Sequence, residues 1–135
     1  MSNARIMLDT SALLAWIEGE EGAERVRAVL EGDGEILIPW PVLMETFYIT
    51  AREGSDEKAL HRYATIKQLP VTFLEQMDEP TLLAAARLKA NHAISLADAL
   101  IAAYAAQLDA VLLHKDPEYT ALAGKVRLES LPYKQ

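Results

Sequence analysis

The sequence has 135 residues, of which 51% are hydrophobic, so the chain is long and apolar enough to form a packed core. It contains no cysteine, which excludes a disulfide scaffold, thiolate metal sites and a cysteine nucleophile. Its 13 basic and 20 acidic residues give a net charge of -7, which argues against binding nucleic acid through bulk positive charge. No segment has the length of a secretory signal or a membrane span, so we expect one cytoplasmic domain over residues 1–135 and no membrane partner.

Short strand-like segments alternate with helical segments along the chain. The segments that predict strands are 5–8, 35–38, 71–74 and 110–113, with a weaker candidate at 126–128. The segments that predict helices are 11–18, 22–31, 41–53, 55–69, 78–91, 96–108 and 117–122. This alternation is typical of a three-layer α/β fold, in which helices cover both faces of a short, mostly parallel sheet of four or five strands. Ligands of such folds bind at the carboxyl ends of the strands.

Two aspartates follow predicted strands. Asp9 comes directly after the first strand, and Asp116 comes shortly after the fourth. Because parallel strands end at the same edge of a sheet, we expect both carboxylates at that edge. Each aspartate also has a simpler interpretation as a helix N-cap, and Pro117 after Asp116 suits the first turn of a helix.

Two further acidic residues lie on helical segments that are otherwise almost free of charge. Glu45 is the only charged residue in 36–51, and Asp98 is the only fully charged residue in 91–108. A helix that is apolar on nearly all sides is buried, and an unpaired buried carboxylate costs several kcal/mol. Local interpretations remain open: a capping box with Ser95 would account for Asp98, and an ion pair or an exposed helix face would account for Glu45.

A convergence of the four carboxylates would account for all of them together. Like charges repel strongly, so such a cluster would need a cation. Carboxylate oxygens are hard ligands of the kind that Mg²⁺ and Mn²⁺ prefer. A cluster holding one or two such ions is a common means of cutting phosphodiester bonds, because the ion activates water and neutralises charge on the phosphate. The candidate catalytic and metal-ligating residues are therefore Asp9, Glu45, Asp98 and Asp116.

The order and spacing of these acidic residues resemble the PIN domain family, and within it the VapC-type toxin ribonucleases of toxin–antitoxin pairs. The resemblance spans the whole chain, and the stretches that carry it are 8–14 (LDTSALL), Glu45, 95–103 (SLADALIAA) and 112–119 (LLHKDPEY). It implies a compact α/β domain that acts as an endoribonuclease with Mg²⁺ or Mn²⁺ as cofactor. The acidic quartet of the family falls on Asp9, Glu45, Asp98 and Asp116.

The same resemblance assigns auxiliary roles to two side chains. Ser11 lies where the family often has a hydroxyl that holds a metal-bound water or the first aspartate. His114 stands where the family usually has Thr or Ser, two residues before the last aspartate. It would contact an RNA phosphate or a metal-bound water, or it would fill the same space as a neutral side chain.

The resemblance also implies partners: an RNA substrate, a cognate antitoxin and a second copy of the chain in a homodimer. Such antitoxins typically lay a helix in a groove near the active site. The candidate groove or dimer residues are Leu13, Leu14, Trp16, Ile17, Trp40, Phe47 and Tyr48. For most of these a core position is the simpler interpretation. The basic residues that we expect at the rim of the site are Arg5, Arg52, Lys115 and Lys125.

Three other functions fit part of the sequence. A catalytically silent PIN-like module that binds RNA or protein would not need all four acidic residues. A housekeeping RNA-processing nuclease would share the chemistry and differ in its biological role. A phosphatase built on Asp9 would need a second aspartate two residues later, where this sequence has Ser11.

Overall fold

The structure is a computed structural model that describes residues 5–133, so residues 1–4 and 134–135 of the predicted domain lie outside the described residues. Its five strands are β1 (Ile6–Leu8), β2 (Ile36–Pro39), β3 (Thr72–Leu74), β4 (Val111–His114) and β5 (Arg127–Ser130). They form one sheet in the order β3-β2-β1-β4-β5, in which every neighbouring pair is parallel. The predicted short sheet is confirmed, and among the described strands it is parallel throughout.

Helices surround this sheet at the positions that the sequence predicts. They are α1 (Thr10–Ile17), α2 (Ala23–Glu31), α3 (Trp40–Glu53), α4 (Asp56–Lys67), α5 (Glu79–Asn91), α6 (Leu96–Gln107) and a 3₁₀ helix (Pro117–Leu122). The α/β fold class is therefore confirmed. Within residues 5–133, none of these helices combines the length and the hydropathy that crossing a bilayer requires.

Local hydrogen bonds explain where several helices begin. The Ser55 hydroxyl accepts the backbone N–H of Lys58 at 3.0 Å, and a carboxylate oxygen of Asp78 accepts the backbone N–H of Thr81 at 3.0 Å. Such N-caps satisfy N–H groups that have no partner inside the helix.

The core lies on the central strands and on α6. The Met, Leu and Ile side chains of the strands with 2% exposure or less are Met7, Leu8, Leu37, Ile38, Leu112 and Leu113. Helix α6 is buried from Asp98 through Ala105 except at Leu100, as its low charge predicts. Each large apolar side chain buried in this way contributes about 1.5–3 kcal/mol to the hydrophobic stabilisation.

The strand order changes direction between β1 and β4. The chain places β2 and β3 on one side of β1, whereas β4 and β5 lie on the other. The crevice at the carboxyl ends of β1 and β4 is therefore a topological switch point, where α/β proteins bind their ligands. The backbone N–H of Asp9 donates to the Leu113 carbonyl at 3.0 Å, which holds the residue after β1 beside the end of β4.

Candidate functional site

Asp9 caps α1 at the carboxyl end of β1. Its Oδ2 accepts the backbone N–H of Ser11 at 3.0 Å and also makes a short hydrogen bond with the Ser11 hydroxyl. Its Oδ1 accepts the hydroxyl of Tyr119 at 2.6 Å, and the residue is only 2% exposed. The N-cap interpretation is thus correct for Asp9, but its carboxylate also contacts a distant segment of the chain.

Ser11 connects Asp9 to the segment that follows β4. The Ser11 hydroxyl donates to Asp9, and its oxygen also accepts the backbone N–H of Lys115 at 2.8 Å. The Lys115 side chain continues this connection, since its Nζ donates to the Glu21 carbonyl at 2.8 Å. Ser11 therefore lies beside the first aspartate, where the family resemblance places a hydroxyl.

Asp98 lies in the first turn of α6, and its capping box is only half formed. The Ser95 hydroxyl accepts the backbone N–H of Asp98 at 3.1 Å, as a capping box requires. The reciprocal bond is missing, because the Ser95 N–H donates to Glu118 Oε1 at 2.6 Å instead. The Asp98 carboxylate faces another partner, since its Oδ1 lies 3.0 Å from the Tyr119 hydroxyl.

Asp98 belongs to a group of three carboxylates that lie close together. One oxygen each from Asp98, Asp116 and Glu118 lie within 4.8 Å of one another. Asp116 also caps the 3₁₀ helix, since its Oδ1 accepts the backbone N–H of Glu118 at 2.9 Å. The donor set consists of oxygen atoms only, and therefore fits a hard cation such as Mg²⁺ or Mn²⁺.

Glu45 lies at the margin of this cluster. The Thr10 hydroxyl donates to its Oε1 at 2.6 Å, and the Tyr48 hydroxyl is 3.4 Å from its Oε2. Burial raises the pKa of Glu45, and the charges of Asp9 and Asp116 raise it further. The structure thus brings the four predicted acidic residues into one region, with both Asp9 and Glu45 outside the group formed by Asp98, Asp116 and Glu118.

The electrostatics of the site reflect crowded carboxylates. Burial, followed by the charges of Asp9 and Asp116, raises the pKa of Asp98 to about 8. Burial also raises the pKa of Asp9, although hydrogen bonds from Ser11 and Tyr119 oppose the shift. Burial and the two neighbouring carboxylates raise the pKa of Tyr119, so its hydroxyl keeps its proton at neutral pH. A cation would relieve this repulsion.

His114 is an interior residue with 1% exposure. Its Nδ1 accepts the backbone N–H of Asp116 at 3.2 Å, and its ring lies 5.0 Å from the ring of Tyr119. Burial lowers the pKa of His114, which favours the neutral ring. This placement is that of a neutral side chain that fills space, and it leaves almost no surface for an RNA phosphate.

Three residues of the site were missed by the sequence analysis: Thr10, Glu118 and Tyr119. The second acidic residue of Asp116-Pro117-Glu118 was a signal that could have identified Glu118. Thr10 and Tyr119 lie in stretches that resemble the family, but no local pattern assigns their hydroxyls a role, because these reach the carboxylates only after the chain folds.

The basic residues expected at the rim are placed differently from one another. Arg5 precedes β1 and pairs with Glu35 at 3.2 Å, so it lies at the opposite edge of the sheet from Asp9. Lys115 is near the site, but its side chain is only 6% exposed and contacts the loop after α1. Arg52 lies over the ring of Tyr48 at 5.3 Å.

The chain belongs to the PIN domain family, whose sequence model matches residues 6–125. This match confirms the family resemblance found in the sequence. No curated protein sequence matches the chain significantly.

Several solved structures of similar fold are of toxin–antitoxin proteins. VapBC2 from Rickettsia felis, bound to a DNA fragment from its promoter, has a TM-score of 0.74 and 18% identity over 95% of this chain and 99% of that chain. DNA-bound VapBC from Salmonella typhimurium has a TM-score of 0.72 and 22% identity over 96% and 98%. VapC20 from Mycobacterium tuberculosis, a Sarcin-Ricin loop cleaving toxin, has a TM-score of 0.72 and 22% identity over 94% and 99%. Similarity at this level of identity establishes a shared fold.

Proposed function

We propose that this protein is a metal-dependent endoribonuclease and the toxin of a toxin–antitoxin pair. The observation that carries the proposal is the meeting of Asp98, Asp116 and Glu118 within 4.8 Å, connected to Asp9 through the Tyr119 hydroxyl. This cluster lies at the switch point of the sheet, where ligands of α/β folds bind. Membership of the PIN domain family and the similarity to VapC20, a Sarcin-Ricin loop cleaving toxin, support the same conclusion.

We propose Asp9, Glu45, Asp98 and Asp116 as catalytic and metal-ligating residues, to which the geometry adds Glu118. Asp98, Asp116 and Glu118 would hold one or two Mg²⁺ or Mn²⁺ ions, because their oxygens already converge. When bound, such an ion lowers the pKa of water and offsets negative charge on the phosphate.

Neighbouring residues hold these carboxylates in place. Ser11 and Tyr119 donate to the two oxygens of Asp9, and Thr10 donates to Glu45. The neutral ring of His114 accepts the backbone N–H of Asp116. The clustered side chains would repel RNA on their own, since Asp9, Asp98, Asp116 and Glu118 are all acidic.

The first prediction concerns RNA cleavage. We expect purified protein to cut structured RNA with Mg²⁺ or Mn²⁺ and to stop when EDTA is added. Asp9→Asn and Asp98→Asn each remove a charged ligand, so each should slow cleavage by more than about 100-fold. Residues behind a metal ligand typically cost about 10–100-fold, and a ligand itself should cost more. The matched control is Asp33→Asn, which makes the same chemical change at an exposed loop position. Gel-resolved initial rates and circular dichroism measure activity and folding.

The alternatives predict other outcomes of this assay. Folded, inhibitor-free protein that cuts no RNA with any divalent metal would support the catalytically silent binding module. Cleavage that survives EDTA would contradict the metal site. Cleavage in vitro without growth arrest on expression would support a housekeeping nuclease, whereas arrest relieved by an adjacent open reading frame would support the toxin.

We also propose an antitoxin partner and a homodimer. The half-buried side chains of Trp16 and Ile17 line a groove of about 250 Å³ against α4, which would take an antitoxin helix. Leu82 and Leu83 on α5 are 52% and 42% exposed and would suit contact with a second copy. Leu13 belongs to neither surface, because it is fully buried in the core. The similar VapBC structures support the antitoxin part of this proposal.

A further inference from the structure

The hydroxyl of Tyr119 lies between two carboxylates that come from different parts of the chain. It is 2.6 Å from Asp9 Oδ1 and 3.0 Å from Asp98 Oδ1. Asp9 follows β1 and Asp98 lies on α6, so this side chain connects the sheet to a helix. Tyr119 itself is fully buried in the 3₁₀ helix.

The position of this hydroxyl is coupled to the remaining carboxylates. Asp116 and Glu118 belong to the same short segment as Tyr119. The Tyr119 ring packs on His114 at 5.0 Å, and His114 in turn accepts the backbone N–H of Asp116. A shift of this segment relative to Asp9 or Asp98 would therefore move the Tyr119 hydroxyl together with Asp116 and Glu118.

We propose that Tyr119 is a positioning residue for the cation site, an inference that rests on the proposed function. Its hydroxyl engages one oxygen of Asp9 and one of Asp98, while Ser11 engages the other oxygen of Asp9. One oxygen of Asp98 also lies within 4.8 Å of oxygens of Asp116 and Glu118, where a cation would bind. Such hydrogen bonds behind the ligands fix their orientation and reduce the cost of bringing them together when the ion binds.

The second prediction tests this role with Tyr119→Phe, which removes one oxygen atom and keeps the ring. The matched control is Tyr104→Phe, since Tyr104 is also buried and its hydroxyl donates to the Gln76 carbonyl at 2.5 Å and accepts Trp40 Nε1 at 2.8 Å. Calorimetric titration with Mn²⁺ should show about tenfold weaker binding for Tyr119→Phe and wild-type binding for Tyr104→Phe.

A second measurement separates positioning from general loosening of the fold. The Mn²⁺ concentration that gives half-maximal RNA cleavage should rise about tenfold in Tyr119→Phe, as the affinity falls, while KM for RNA at saturating Mn²⁺ stays unchanged. A purely structural role of Tyr119 would lower the stability of the metal-free protein without moving this Mn²⁺ midpoint.

The outcomes distinguish this inference from the proposed function. No Mn²⁺ binding by the wild type would overturn both. If Tyr119→Phe binds Mn²⁺ as tightly as the wild type or more tightly, the positioning role alone is overturned. The same holds if Tyr104→Phe weakens Mn²⁺ binding as much as Tyr119→Phe does. If metal-free Tyr119→Phe is unfolded, circular dichroism during Mn²⁺ titration replaces calorimetry. Folding should then return at Mn²⁺ concentrations above those that saturate the wild type, and a failure to return would overturn the inference.

Discussion

Asp98 shows how three surrounding features act on a single carboxyl group. Burial and the charges of Asp9 and Asp116 raise its pKa from an ordinary 3.8 to about 8. Without a cation, the folded protein therefore favours the protonated form far more than the unfolded chain does. The stabilisation from this group is complete below pH 3.8 and is lost as the pH rises through about 8.

The third prediction is a difference in pH dependence between two metal-free proteins. The free energy of unfolding of the wild type, minus that of Asp98→Asn, should fall by on the order of a few kcal/mol as the pH rises from 5 to about 8, and then level off. Urea denaturation in EDTA at several pH values measures it. Asp33→Asn should follow the wild type throughout. A difference that stays constant or rises over this range would show that Asp98 is not forced into a crowded acidic cluster.

At the scale of the elements, the start of α6 combines a helix cap with the functional cluster. The Ser95 hydroxyl caps the helix, and the backbone N–H of Ser95 donates to Glu118 rather than to Asp98. The same turn therefore stabilises the helix and directs the Asp98 carboxylate toward Tyr119. Ser55 caps α4 with the same geometry and has no contact with the acidic cluster among its described hydrogen bonds.

The fourth prediction compares these two caps. Ser95→Ala and Ser55→Ala should each lower the free energy of unfolding by about 1 kcal/mol, because each exposes a helix N–H group. Only Ser95→Ala should also slow RNA cleavage, since the first turn of α6 orients Asp98. Urea denaturation and initial cleavage rates measure the two effects. Equal cleavage rates in both variants would show that the cap of α6 does not orient Asp98 for cleavage.

At the scale of the whole molecule, acidity and stability are connected through the cation. The net charge is -7, and five of the 20 acidic side chains are Asp9, Glu45, Asp98, Asp116 and Glu118 in one region. Binding a divalent ion to the folded state would offset this repulsion and stabilise the fold by mass action. The acidic composition excludes bulk attraction of RNA but is compatible with cutting it through a bound metal.

The fifth prediction is that Mg²⁺ raises the melting temperature of the wild type. At a concentration 100 times its dissociation constant, Mg²⁺ should raise the free energy of unfolding by about 2.7 kcal/mol. At a fixed Mg²⁺ concentration this gain should grow from pH 6 to pH 8, because the ligands must lose their protons before they bind the ion. Sodium chloride of equal ionic strength controls for screening of the net charge. Asp98→Asn should lose most of the Mg²⁺ effect. Equal stabilisation by sodium chloride would contradict a specific site.

The chain by itself determined the strands, the helices and most of the candidate acidic residues. Apolar periodicity and caps such as Ser55 and Asp78 act over a few neighbouring residues, so they are readable without a structure. The ends of β1 and β4 placed Asp9 and Asp116 at one edge because parallel strands share their direction.

Only the tertiary structure decided which groups meet inside that edge. Tyr119 contacts Asp9 across 110 positions and Asp98 across 21, and no local pattern encodes such a distance. The capping box of α6 is incomplete because the Ser95 N–H donates to Glu118, which belongs to a separate segment. These contacts depend on where the 3₁₀ helix lies relative to Asp9 and to the start of α6, and that placement is a property of the whole folded chain rather than of any short stretch of it.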